Sequence, residues 1–133
     1  MVKTYDPSQM VMTVNTTIVS DFEEITVTFN EADYVFEAGS AGEVARTRIL
    51  NKIGQIKVSL AQTNSINKSF STYRNSTATV AVALIDMNSK QTIYSMPYGS
   101  INHFPESGFA KDKNGTRDWT FEGDLPIAFI AGN

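Results

Sequence analysis

The sequence contains no cysteine. Disulfides, thiolate metal sites and cysteine nucleophiles are therefore excluded. It has one histidine, His103, so no second imidazole can share a metal ion, and a Ser-His-Asp triad would depend on that single ring. No run of 18 apolar residues is present, which leaves no helix able to span a bilayer, and no membrane insertion is expected. A basic surplus is missing too. Eleven Lys and Arg stand against 14 Asp and Glu, a formal net charge of −3, so the whole chain lacks the footprint of a nucleic-acid binder. The opening Met1-Val2-Lys3-Thr4-Tyr5-Asp6-Pro7 lacks the apolar stretch of a secretory signal, and assembly inside a cell is expected. Linkers, low-complexity tracts and internal repeats are absent as well. The 133 residues are expected to form a single domain, 1–133, that buries roughly two thirds of the unfolded chain's surface.

What is present is mostly alternation of period two, the mark of half-buried strands. Residues 10–14 form a first strand, Asn15-Thr16 a turn, and 17–19 its return. In 24–29, Ile25, Val27 and Phe29 are expected inward. Residues 34–37 are a short strand, and Ala38-Gly39-Ser40-Ala41-Gly42 is a loop on two glycines that suits a projecting arm. Residues 44–51 and 55–61 read as a hairpin across Asn51-Lys52-Ile53-Gly54, with Ile56, Val58 and Leu60 on one face and Lys57 and Ser59 on the other. One segment has helical spacing. Asn64 or Ser65 can cap it, and Ile66, Phe70 and Tyr73 fall at i, i+4 and i+7. The apolar run 78–85 suits a central strand buried on both faces. Residues 92–96 follow, with Pro97 expected to end them. Residues 97–115 read as loop-rich, and 116–123 and 127–130 complete the strands. The fold class is mainly β: an antiparallel β-sandwich or barrel with one flanking α-helix.

The candidates for chemistry are few. His103 with Asp112 or Asp118 as orienter has no nucleophile elbow beside it, and a lone loop histidine is commonly inert. Glu23 and Glu24 are adjacent on a strand, so they point to opposite faces and suit a solvated surface better than paired acid–base work. Trp119 and Phe121 share a face with Arg117. They suit an inward core strand better than a sugar-stacking platform. The glycines match no phosphate-binding fingerprint. No catalytic residue, cofactor or metal is expected.

Arg46 and Arg48 fall on one strand face, with Thr47 and Ile49 on the other. In an acidic protein, two such arginines suit either exposed pairs with nearby Glu, worth about 0–1 kcal/mol each, or a row of ion pairs between subunits. DNA phosphate contacts fit poorly with the acidic balance.

The run from Gly42-Glu43-Val44-Ala45-Arg46-Thr47-Arg48 through Asn51 and Gly54 into the alternating strand resembles a family of short structural proteins of contractile-tailed bacteriophages, the tail tube proteins. Thr4-Tyr5-Asp6-Pro7, Arg117-Asp118-Trp119-Thr120-Phe121 and the closing Ala131-Gly132-Asn133 are similar to that family as well. Relatives of similar fold build type VI secretion and pyocin tubes. The resemblance implies a structural virion protein of the tail, self-assembled into hexameric rings stacked as the inner tube. Its implied partners are other copies of itself and the sheath, baseplate, tape-measure and tail-terminator proteins. DNA would pass through during ejection without specific binding. Assembly would take place in the host cytoplasm. Glu37, Gly39, Gly42, Glu43, Arg46 and Arg48 are the expected subunit-interface residues. Two other readings are a different tail or head-completion component and a small monomeric ligand- or carbohydrate-binding β-sandwich.

Overall fold

Why the strands pair as they do follows from where the apolar residues fall. The computed structural model describes residues 10–19, 21–30, 32–48, 52–88, 91–105, 108 and 114–128, with the backbone alone at 91, 127 and 128. Its elements are β1 (Met10–Val14), β2 (Thr17–Val19), β3 (Phe22–Phe29), β4 (Tyr34–Ala38), β5 (Val44–Arg48), β6 (Ile53–Ala61), α1 (Ile66–Ser76), β7 (Val80–Asp86), β8 (Gln91–Ile101), β9 (Thr116–Asp124) and β10 (Ile127–Ala128). The main sheet runs β2-β1-β7-β8-β9-β6-β3, with β10 also on β8, while β4 and β5 form a separate two-stranded sheet.

β8 makes this path a sandwich. Its first part pairs with β7, from Gln91 opposite Asp86 to Met96 opposite Val82, and its last two residues, Ser100 and Ile101, pair with β9. One strand thus belongs to both layers. Pro97 does not end it. Between the pairs Val82–Met96 and Val80–Gly99, β8 carries one residue more than β7, and Pro97 sits in that bulge. A bulge is where a residue without an N–H is tolerated inside a sheet. At the same crossing a Cβ on Gly123 would lie 2.6 Å from the Tyr98 carbonyl oxygen, so β9 approaches β8 more closely than a side chain allows.

The core fills the space between the layers. Met12, Val14, Val82, Leu84 and Met96 come from one side, and Ile56, Val58, Leu60, Trp119 and Phe121 from the other. α1 closes one edge with the buried Phe70, whose ring meets those of Trp119 and Phe121 edge-on at centroid distances of 5.6 and 5.2 Å. Ile66 and Tyr73 pack beside it, as their spacing predicts. Ser65 holds the N-cap position without a side-chain bond, and Asn64 Oδ1 accepts the Ile66 N–H at 3.0 Å. The architecture is therefore a mainly antiparallel β-sandwich with a single flanking helix among the described residues.

Three further expectations require correction. Residues 44–51 do not pair with 55–61. Instead β5 pairs with β4, and β6 lies between β3 and β9. The reason is apolar register. Ile56 and Val58 oppose Val27 and Ile25 on one side and Phe121 and Trp119 on the other. β5, with Ala45, Thr47 and two arginines, offers no such face. β7 is central, as expected, but Ala81 is exposed and Ala83 and Ile85 are half-buried, so its outer face is thinly covered. On β3, Ile25 and Val27 turn inward while Phe29 stays largely exposed. Of 127–130, residues 127–128 form β10, and 129–130 lie outside the described residues.

Candidate functional site

β4 and β5 build an arm. The cross-strand pairs are Tyr34–Arg48, Val35–Thr47, Phe36–Arg46, Glu37–Ala45 and Ala38–Val44, and every residue from 34 to 48 is exposed. The tip closes tightly. Gly39 N–H donates to the Glu43 carbonyl at 2.7 Å and Gly42 N–H to the Gly39 carbonyl at 3.0 Å. Gly42 adopts φ +87°, which only glycine takes without strain. All six residues expected at a subunit interface, Glu37, Gly39, Gly42, Glu43, Arg46 and Arg48, are therefore on this one hairpin.

The two faces of the arm differ. Opposed residues of an antiparallel pair share a face. One face carries Tyr34, Phe36, Ala38, Val44, Arg46 and Arg48. The other carries Val35, Glu37, Ala45 and Thr47. The arginines are thus on the aromatic face, as the alternation predicts, while Ile49 lies outside the described residues. The Arg46 guanidinium sits 3.5 Å above the centre of the Tyr34 ring, a cation–π contact that holds it along the arm. Neither arginine forms an ion pair among the described residues. Phe36 and Val44 are each 69% exposed. A lone two-stranded sheet is at best marginally stable in water.

The root of the arm is fixed by charge. Lys52 Nζ donates to Asp33, and Asn30 N–H donates to the Ile53 carbonyl at 3.0 Å. The Lys52 hydrogen bond, and then its charge, hold the Asp33 carboxyl below the usual carboxylate range, with Arg48 adding a smaller pull.

A second feature was not visible as a pattern in the sequence. Met10, Phe22, Ile25, Val27, Leu84, Ile93 and Tyr94 line an open groove of about 400 Å³ between β3 and the facing layer, and both Glu23 and Glu24 stand in its lining. Strict alternation would send these two carboxylates to opposite faces. The pairing of β3 with β6 instead slips between Phe22 and Glu24, and this bulge brings both glutamates to the same groove. The sequence signal that could have shown it is the clash of phase between Phe22 and Ile25, both inward yet three residues apart.

The catalytic candidates do not assemble. Ser59 Oγ donates directly to Asp118 at 2.6 Å, and Lys57 lies 3.6 Å from the same carboxylate. His103 lies beside them in a shallow acidic depression with Gln55, Asn102, Phe104, Thr120 and Glu122, but it bonds to neither Ser59 nor Asp118. A triad needs the histidine between them. Asp112 lies outside the described residues. Trp119 and Phe121 are buried and offer no sugar platform, and the Trp119 indole N–H is already donated to Asn67. Among the described residues no group of His, Asp and Glu is placed to hold a metal ion.

No protein-family model matches the sequence, and no curated protein matches it. Its likeness lies in structure. A chain of the PVC sheath–tube complex of an extracellular contractile injection system, in the extended state, superposes with a TM-score of 0.66 at 8% identity, over 94% of this chain and 91% of that one. A chain of the anti-feeding prophage cap, which terminates the AFP tube, gives 0.59 at 10% identity over 93% and 91%. A chain of the PVC sheath/tube terminator gives 0.60 at 9% over 92% and 94%. The fold is thus that of components of contractile injection systems, as the resemblance to tail tube proteins led one to expect.

Proposed function

We propose that this chain is a tail tube subunit: a non-enzymatic structural protein, one domain over its length, that assembles with copies of itself into rings stacked as the inner tube of a contractile tail. The observation that carries this reading is the end-to-end superposition on a chain of a sheath–tube complex. The exposed arm supports it, because an unsupported hairpin with an aromatic and cationic face gains stability only by docking. Six subunits per ring, a sheath around the tube, baseplate, tape-measure and terminator partners, passage of DNA and a place in a virion tail assembled in the host cytoplasm belong to the same proposal. A conduit for DNA must not hold it, since basic groups would grip the phosphates. The outward side of β6 and β9 carries Asp118 and Glu122 against Lys57, which suits such a lining. Asp86 does not contribute, being buried and bonded to the Asn88 turn.

Two of the structural neighbours belong to a cap and a terminator, which favours one second reading: a component that ends a tube rather than extends it. Negative-stain electron microscopy of the concentrated protein separates the two. Long tubes of uniform width are expected. Single or double rings that never elongate would favour the terminator, and a protein monomeric at all concentrations would overturn both.

A further inference from the structure

The arm and the groove complement each other, and both are in every copy. The groove is apolar along its floor, through Phe22, Ile25, Val27, Leu84 and Ile93, and carries Glu23 and Glu24. The arm offers Phe36 and Val44, largely exposed, on the same face as Arg46 and Arg48. Leu84 is buried at the bottom of the groove, whereas Phe22, Ile25, Val27 and Ile93 are only half-buried and gain from being covered. Two carboxylates meet two guanidiniums, a pairing that allows bidentate hydrogen bonds with fixed geometry. In an acidic chain with few cations, those two guanidiniums carry no described ion pair of their own.

Position excludes the same copy as the occupant. The arm leaves the sandwich at the end of β3 where Phe29 opposes Gly54, and its root is held there by Lys52 and Asp33. Glu23 lies at the other end of that strand, roughly 20 Å away for six residues of extended chain. The arm residues are exposed and so do not lie on their own groove.

We infer that the arm of one copy docks in the groove of the next, with Phe36 entering among Phe22, Ile25 and Ile93 and with Arg46 and Arg48 pairing with Glu23 and Glu24. This rests on the proposal that the chain self-assembles, and it names the acceptor that such assembly uses. The contact is heterologous: donor and acceptor are different surfaces at opposite ends of one strand, so every docked copy presents a fresh groove or a fresh arm.

The test is a charge exchange read by sedimentation velocity and negative-stain imaging of full-length protein. The changed side chains are exposed, and circular dichroism checks that each variant folds. R46E/R48E and E23R/E24R should each raise the concentration for half-assembly by roughly 100-fold, the effect expected of like charges set face to face in an interface. Mixing the two variants should restore assembly, because each then offers what the other's altered surface needs. The chain carrying all four changes should assemble alone. If R46E/R48E blocks assembly while E23R/E24R assembles normally, or if mixing restores nothing, the groove is not the acceptor and this inference fails while self-assembly stands. If the unaltered protein never assembles, the proposed function fails first.

Discussion

The indole N–H of Trp119 donates to Asn67 Oδ1 at 2.9 Å. The same amide group donates from Nδ2 to the Ala61 carbonyl at 2.9 Å. Asn67 therefore ties α1 to the buried tryptophan of β9 and to the end of β6 at once. Replacing Asn67 with Ala should leave a buried N–H unpartnered and cost about 2 kcal/mol of stability. Urea unfolding should show this as a lower midpoint with an unchanged slope.

Gly123 faces the backbone of Tyr98 with no room for a methyl group. Gly123→Ala should force β8 and β9 apart where β8 changes layers. A loss of about 1–3 kcal/mol is expected, as for overpacking in a core. Thermal unfolding measures it, and an unchanged melting temperature would show that the crossing is softer than its geometry.

Thr77 ends α1 in the left-handed conformation, at φ 58°. A β-branched residue is strained there, whereas glycine is at home in a helix C-terminal turn. Thr77→Gly should stabilise the protein by about 1 kcal/mol, read as a rise in the urea midpoint.

Asp33 is held below the usual carboxylate range by Lys52. A depressed acid favours the folded arm root at pH values above its unfolded titration, and that contribution is lost as pH falls through the folded value. The root should therefore loosen only in acid, below about pH 4. Carboxyl NMR should show Asp33 titrating lower than in Lys52→Ala, where its midpoint should move up.

His103 is exposed and bonds to neither Ser59 nor Asp118. His103→Ala should leave both stability and tube formation within about 0.5 kcal/mol or its equivalent in critical concentration. Loss of tube formation in a folded variant would give the residue a role at a subunit contact.

Several of these features were legible in the sequence because they depend on local periodicity. Ile56, Val58 and Leu60 alternate cleanly and are buried. Ile66, Phe70 and Tyr73 share a helical face and pack on the core. The inward Trp119 followed from its phase with Phe121. What local pattern could not supply was pairing. β5 follows the arm turn and precedes β6, and sequence proximity favoured a hairpin with β6. The decisive term is the distant register of Ile56 and Val58 against Phe121 and Trp119, some 60 residues away. Bulges hid two more features. One carried β8 through Pro97, and the other brought Glu23 and Glu24 together. Both are single-residue slips in pairing, which a reading by strict alternation passes over.

The exposure of residues 34 to 48 has a practical consequence. A hairpin without support opens readily, and opened backbone is what a protease cuts. Arg46 and Arg48 are both trypsin sites and both lie on that hairpin. A free subunit should therefore be nicked there first, and a subunit whose arm is covered should resist. The chain carries its own footprinting reagent: the rate of cleavage after Arg46 and Arg48 would report, copy by copy, how much of a preparation has found a neighbour.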